Sequence, residues 1–143
     1  MTKDKALAEL DQKVMLNFKG FLDEADAAGI RYTITEARRT MLTQVCYFLG
    51  GRGMTTADIN LCRKAAGLYL WADSENREIT WTLDSIHLRG RAMDIVPLDS
   101  QGKTNYNDAE AYRKLAEIAA KHGIEWGGNW PGKKRDGPHF QIV

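Results

Sequence analysis

The sequence has few cysteines, no long apolar run and almost no excess of charge of either sign. Only two of its 143 residues are cysteines, and no apolar run is long enough to cross a membrane. Lysine and arginine number 20 against 19 acidic residues, so no strong overall field favours nucleic acid or an acidic partner. We therefore expect no membrane and no nucleic-acid partner, and any recognition by charge must be local.

The composition is that of an ordinary globular domain, with 43% hydrophobic and 27% charged residues. A chain of this length can bury a core unaided, so we expect one domain over residues 1–143 and a monomer. Residues 1–5, of which three are charged, lead into an amphipathic pattern rather than a signal core, which predicts a cytoplasmic protein. In that compartment Cys46 and Cys62 are expected as buried free thiols, and a disulfide is the disfavoured alternative.

Four segments carry the patterns of helices. Between Leu7 and Ala25 apolar residues recur at three- and four-residue steps, which predicts a helix that ends near Gly29. Further helices are expected over residues 40–49, over residues 55–67 from a cap at Thr55, and over residues 107–123 from a cap at Asn107.

Short segments with alternating or β-branched residues predict strands, over residues 32–35, 91–96, 124–126 and 138–143. Residues 68–71 and 78–81 flank a polar stretch and predict a hairpin. Helices and strands do not alternate regularly. The predicted fold class is therefore α+β, a small antiparallel sheet with helices packed on one face.

Side chains that can bind a metal are concentrated late in the chain. His87 and Asp94 flank Gly90, which lets the backbone turn into the following strand, and Asp136 and His139 enter the last strand together. Two histidines and one aspartate give the nitrogen and oxygen ligands of a catalytic zinc ion, with water in the fourth position. Asp136 is then left over as a base.

These residues resemble a family of zinc peptidases that includes D-alanyl-D-alanine carboxypeptidases and dipeptidases and the L-alanyl-D-glutamate endopeptidases of bacteriophage endolysins. The family pattern is Ser-x-His, a glycine, Ala-x-Asp, and then an acid three residues before the last histidine. Every element is present, as Ser85, His87, Gly90, Ala92, Asp94, Asp136 and His139.

The resemblance extends over residues 34–143. Residues 34–40 with Gln44 look like the family's strand, arginine and following helix, and residues 126–130 match the segment before the last motif. Residues 54–79 are longer than the connection expected there, and could be a lid, a substrate wall or a surface insertion. Pro138 stands before His139, so the His-x-His pair of lysostaphin-like wall hydrolases is absent.

The resemblance implies a hedgehog/D-Ala-D-Ala peptidase-like fold and one zinc ion held by His87, Asp94 and His139. Asp136 is implied as the catalytic base and then acid. Arg39 is implied as the cation for the oxyanion or a substrate carboxylate, with Arg38 the competing choice.

Three further side chains carry open alternatives. Ser85 either binds substrate or stabilises a turn, and Trp130 either walls the cleft or belongs to the core. Trp126 is expected in the core. Residues 133–135 are expected in a solvated loop, and His122 near a helix C-terminus is not expected to be a ligand.

The implied function is hydrolysis of bacterial peptidoglycan at the L-alanyl-D-glutamate bond of the stem peptide. The implied role is that of an endolysin, held in the host cytoplasm until a holin opens the membrane. One alternative is a D-Ala-D-Ala carboxypeptidase or dipeptidase. An alternative of another class is a non-catalytic, zinc-stabilised wall-binding module.

Overall fold

The computed structural model describes residues 1–143, which fall into two compact units. The first, called the sheet unit, comprises Met1–Arg38 and Arg89–Val143. The second, called the helical unit, comprises Arg39–Leu88. No helix of the chain combines the length and the apolar character that crossing a membrane requires.

The sheet unit contains an antiparallel sheet of four strands, β1 (Tyr32–Glu36), β2 (Ala92–Pro97), β3 (Glu125–Trp126) and β4 (His139–Gln141). Their order in the sheet is β1-β2-β4-β3. All four fall on segments predicted as strands, although β3 and β4 are shorter than expected. The α+β class predicted from the sequence is confirmed.

Three helices complete the sheet unit: α1 (Lys3–Ala8), α2 (Gln12–Ala27) and α5 (Ala109–Lys121). Their apolar faces and the sheet share one core in which the Phe21 and Phe140 rings lie 5.3 Å apart. Complete burial of each such side chain contributes about 1.5–3 kcal/mol. This core holds β2 and β4, the central strands, in place.

The single helix predicted to end near Gly29 is two helices, with a break before Asp11. The Asp11 carboxylate caps α2 by accepting a hydrogen bond from the Lys13 backbone N–H at 2.9 Å. The Asp11 N–H itself donates to the Gly90 carbonyl at 2.9 Å. Gly90 has φ +66°, and a Cβ there would lie 2.9 Å from the Asp11 nitrogen, so only glycine fits this contact.

The fifth helix begins one residue later than predicted. Asp108, rather than Asn107, is the N-cap, and its carboxylate accepts a hydrogen bond from the Ala111 N–H at 3.0 Å. Both residues are good caps, so sequence alone does not choose between them.

The helical unit contains α3 (Met41–Leu49) and α4 (Thr56–Ala65), and Thr55 caps α4 as predicted. Thr40, predicted as the first residue of its helix, is the N-cap of α3. Cys46 on α3 and Cys62 on α4 form a disulfide, with their Cα atoms 5.8 Å apart. The expectation of two free thiols is therefore wrong. The packing of α3 on α4 brings the two cysteines within bonding range, a proximity that their separation in sequence does not reveal.

The predicted hairpin over residues 68–71 and 78–81 is also wrong. These segments form no strands, and a 3₁₀ turn, Asp73–Glu75, lies between them. Backbone groups of the segment are bonded by α4 side chains instead. Asn60 bonds both the N–H and the carbonyl of Trp71, at 2.8 and 3.0 Å, and Arg63 Nε donates to the Tyr69 carbonyl at 2.7 Å.

Candidate metal centre

The register of the sheet brings two of the predicted ligands together. Asp94 on β2 and His139 on β4 are direct cross-strand partners. Directly opposed residues project from the same face of a sheet. His139 Nδ1 lies 3.3 Å from Asp94 Oδ1, so the pair is assembled by backbone pairing alone.

The third predicted ligand, His87, lies in the 3₁₀ turn Ile86–Arg89 that precedes β2. Its side chain is 2% exposed. The Ser85 hydroxyl accepts a hydrogen bond from the His87 N–H at 3.3 Å, and the His87 carbonyl accepts one from the Arg39 N–H at 3.1 Å. The His87 backbone is thus bonded on both sides.

The ligand atoms of His87, Asp94 and His139 all lie within 4.8 Å of one another. Two imidazoles and one carboxylate form a donor set that suits zinc and leaves a position open for water or substrate. The residues present therefore fit the predicted ion.

The two ring nitrogens of His139 have different neighbours. Nδ1 faces the Asp94 carboxylate, whereas Nε2 lies 2.9 Å from the side-chain oxygen of Gln141. The Gln141 amide then donates to Glu125 Oε2 at 3.0 Å. Nδ1 therefore faces another member of the metal-binding group, and Nε2 faces Gln141.

Burial and charge act in opposite directions on His139 in the metal-free chain. Burial lowers its pKa, but the hydrogen bond and charge of Asp94, the hydrogen bond to Gln141 and the charge of Asp136 outweigh it. The net pKa is raised. An ion that binds Nδ1 must displace any proton there, so metal and proton compete for this site.

Asp136 lies at the start of the turn that leads into β4. Its backbone N–H donates to the Gly127 carbonyl at 3.0 Å, and its carbonyl accepts from the His139 N–H at 3.3 Å. The residue is exposed, unlike the two histidines. Its charge contributes to the raised pKa of His139, which lies three residues further along the chain.

Arg39 takes part in a polar network of the helical unit. Its Nη1 donates to Gln44 Oε1 at 2.7 Å and lies 3.5 Å from the Ser85 hydroxyl. Its guanidinium also covers the Tyr47 ring at 4.8 Å. The neighbouring Arg38 is exposed. The network links Arg39 to the serine that bonds the backbone of His87.

The remaining residues of interest divide between the candidate site and the scaffold. The Trp130 ring lies 5.1 Å from that of His139, and its indole N–H donates to Glu125 at 2.8 Å. Trp126 packs against the core, as expected. The His122 ring bonds Glu24 at 2.7 Å and stands apart from the metal-binding group.

Sequence reasoning missed the supporting roles of Gln141, Glu125 and Gln44. Gln141 follows His139 by two positions on one strand, and strand periodicity places such residues on the same face, so this signal was available. Gln44 is fully buried, and its amide donates to the Thr82 carbonyl at 2.6 Å. No local pattern indicates that long-range bond.

Residues 78–142 match the sequence profile of a family described as D-alanyl-D-alanine carboxypeptidase. No curated protein sequence matches the chain. Among solved structures, the fold is similar to that of the Serratia marcescens L-Ala D-Glu endopeptidase ChiX. That TM-score is 0.63 at 20% identity, over 98% of this chain and 85% of that chain.

Two further structures share the fold at low identity. VanYB in complex with D-alanine-D-alanine has a TM-score of 0.59 at 21% identity, over 94% of this chain and 71% of that chain. The vancomycin resistance D,D-pentapeptidase VanY in complex with Zn(II) has a TM-score of 0.55 at 18% identity, over 94% and 72%.

The fold, the histidine and aspartate group and the matched motif are those expected of a metallopeptidase. The matched residues 78–142 contain His87, Asp94 and His139, so the family match and the metal-binding group fall on the same part of the chain. The family resemblance seen in the sequence is confirmed.

Proposed function

We propose that this protein is a zinc-dependent peptidoglycan hydrolase that cleaves the bond between L-alanine and D-glutamate in the stem peptide. The observation that carries the proposal is the group of His87, Asp94 and His139, whose two imidazoles are buried, together with the exposed Asp136 three residues before His139. A structural group has no need of a solvent-accessible carboxylate at its edge, whereas hydrolysis needs a base that reaches water.

His87, Asp94 and His139 hold the ion in this proposal. A zinc ion bound there supplies a water molecule with its pKa lowered to about 7 and polarises the carbonyl of the scissile bond. The buried imidazoles and the cross-strand pairing fix the ligand positions, which keeps the geometry constant through the reaction.

Asp136 carries the proton in both halves of the reaction. As an exposed carboxylate next to the ligands, it accepts a proton from the attacking water. The same carboxyl then returns that proton to the leaving amine as the C–N bond breaks. The products are a new carboxylate on L-alanine and a new amine on D-glutamate.

Arg39 and Ser85 bind the substrate in the proposal. The stem peptide carries free carboxylates, and a guanidinium forms charge-assisted hydrogen bonds to such groups. The Gln44 bond and the Tyr47 ring hold Arg39 in one orientation, so less side-chain entropy is lost on binding. Trp130, next to His139, provides an apolar surface for the peptide.

The endopeptidase bond is preferred because the sequence resembles the endolysin branch and the fold is similar to an L-Ala D-Glu endopeptidase. The second candidate is a D-Ala-D-Ala carboxypeptidase or dipeptidase. It is supported by the description of the matched family and by the fold shared with VanYB.

We also propose the biological role implied by the sequence, a phage endolysin held in the host cytoplasm until a holin releases it to the wall. The support is the resemblance to that branch. In this proposal the protein is a monomer, functions as one domain and binds one zinc ion.

The test is digestion of purified Gram-negative peptidoglycan by the zinc-loaded protein, followed by mass spectrometry. New L-alanine C-termini with D-glutamate N-termini support the endopeptidase. Released D-alanine or D-alanyl-D-alanine moves the assignment to the second candidate. Absence of any product with zinc bound contradicts both enzymes and favours the wall-binding module.

The matched variants are His87→Ala with His122→Ala as its control, because His122 is a histidine outside the metal-binding group. Hydrolysis should disappear in the first and persist in the second. Equal loss in both variants would point to a general effect on folding.

A further inference from the structure

His139 stands at the end of a continuous chain of side-chain hydrogen bonds in the sheet unit. The Trp130 indole N–H donates to Glu125 Oε1 at 2.8 Å, and the Gln141 amide donates to Glu125 Oε2 at 3.0 Å. The Gln141 amide oxygen lies 2.9 Å from His139 Nε2. Each oxygen of Glu125 thus has its own donor.

The sheet itself builds this chain. Glu125 on β3 and Gln141 on β4 are cross-strand register partners, and Gln141 lies two residues beyond His139 on the same strand. Both steps therefore follow the period of a strand, and neither needs a flexible loop.

The donor and acceptor roles in these hydrogen bonds determine which nitrogen of the His139 ring carries the hydrogen. Gln141 donates through its amide nitrogen to Glu125, so its oxygen is the atom turned to His139, and an amide oxygen only accepts. The His139 Nε2 must then carry the hydrogen. In a neutral ring this leaves a lone pair on Nδ1, the nitrogen that faces Asp94.

We propose that Gln141 and Glu125 form a positioning relay that fixes the His139 ring with Nε2–H bonded to Gln141 and Nδ1 available to the metal. The inference rests on the zinc site of the proposed function, but not on its substrate or scissile bond. Trp130 anchors the far end by its bond to Glu125. In this proposal Trp130 both contacts the substrate and helps to orient His139, a proposed metal ligand.

The relay predicts a loss of metal affinity without a loss of fold. Removing a partner of this kind from a metal-binding histidine typically costs about 10–100-fold in metal affinity. Gln141→Leu should therefore weaken zinc binding by this factor. Glu125→Ala should weaken it less, because Gln141 remains but is no longer held in place.

The experiment measures the zinc dissociation constant by competition with a chelating dye and records the nitrogen-15 chemical shifts of His139 in the zinc-loaded protein. The wild type should show a protonated Nε2 and a metal-bound Nδ1. In the double variant Gln141→Glu with Glu125→Gln, a carboxylate accepts from His139 and an amide supports it. That variant should recover the affinity that Gln141→Leu loses.

Glu117→Gln is the control, since this glutamate lies on the exposed face of α5 in a pair with Arg113. It makes the same chemical change as Glu125→Gln away from the site, and its zinc affinity should equal that of the wild type.

Wild-type zinc affinity in Gln141→Leu, or an unprotonated Nε2 in the loaded wild type, overturns the relay. A lower melting temperature in Gln141→Leu with unchanged zinc affinity also overturns it, since the role would then be structural. Because neither readout needs hydrolysis, a protein that cuts no peptidoglycan can still confirm the relay while the proposed function fails.

Discussion

Asp94 and His139 lie directly opposite each other on two antiparallel strands, with Oδ1 and Nδ1 3.3 Å apart. In a sheet the side-chain period is two, so a register shift of one residue would turn one of them to the other face. The metal-binding group thus depends on the same register that buries Met93 and Phe140, the neighbouring pair in the core. Correct folding of β2 and β4 and formation of the ligand pair are one event.

Replacing a ligand should remove the stabilisation that zinc gives to the folded chain. Free zinc at 100 times its dissociation constant stabilises the wild type by about 2.7 kcal/mol, which appears as a higher melting temperature. His139→Ala should show little of this increase, and His122→Ala should show all of it. Calorimetry with and without zinc measures the difference, and a full increase in His139→Ala would exclude that residue as a ligand.

Asp136→Asn should separate catalysis from metal binding. The amide cannot accept a proton from water, and removal of a general base costs about 10²–10⁴-fold in rate. Zinc affinity should stay within a few-fold of the wild type, because Asp136 is not one of the three ligands in the proposal. Turnover of wall fragments and zinc competition measure the two properties separately.

The control for that variant is Asp73→Asn, an exposed aspartate in the 3₁₀ turn of the helical unit. It should keep full activity. If Asp136→Asn also keeps full activity, another group must supply the base.

Reduction of the Cys46–Cys62 disulfide should destabilise the helical unit. The disulfide closes a loop with a sequence separation of 16. A disulfide that closes a loop of this size stabilises the folded protein by about 3 kcal/mol, and reduction removes this contribution. Amide hydrogen exchange in α3 and α4 should therefore accelerate after addition of a reductant. The variant with both cysteines replaced by serine should exchange rapidly in either condition, and unchanged protection on reduction would contradict the prediction.

Gly90→Ala should destabilise the protein because φ at this position is +66° and the new Cβ would meet the Asp11 nitrogen at 2.9 Å. The combined cost of strain and overpacking is expected to be about 1–3 kcal/mol. Gly137→Ala is the matched control, because its Cβ meets nothing within 4 Å. Urea unfolding of both variants measures the difference, and equal midpoints would contradict the argument.

The Asp23 carboxylate should titrate well below its ordinary range. Hydrogen bonds from Lys19 and Lys3 lower its pKa from 3.8 to about 2. The folded pKa is below the unfolded one, so the stabilisation is complete above pH 3.8 and is lost as the pH falls through about 2. Nuclear magnetic resonance titration of the side-chain carboxyl measures this directly.

Lys3→Met removes one of the two donors, at 2.8 Å, and should move the Asp23 pKa back toward its ordinary value. Lys13→Met changes a lysine that is not among the causes of the shift and should leave the pKa where it is. An Asp23 pKa near 3.8 in the wild type would show that these bonds do not persist in solution.

Several features could be predicted from the sequence because they depend on neighbours along the chain. Thr40 and Thr55 cap their helices by bonding N–H groups three residues on, and Gly90 adopts a turn conformation that its missing Cβ permits. Two of the proposed ligands were predicted in the same way, since Ser85, His87 and Asp94 form one short motif that resembles the family pattern. Residue types and their spacing along the chain are enough to predict these caps, this turn and this motif.

Other features depended on distances that spacing does not contain. Cys46 lies beside Cys62 because their helices pack together, which the separation of 16 residues does not reveal. The Asn60 side chain bonds the backbone of Trp71, where a second strand was predicted to do so. The relay needs β3 and β4 to pair so that Glu125 reaches Gln141. The sequence by itself determined the local elements, because they follow from short-range periodicity and backbone preference, and residue types with the family pattern led to the proposed ligand set. Only the tertiary structure decided which side chains support those ligands, because long-range pairing sets the contacts between distant segments.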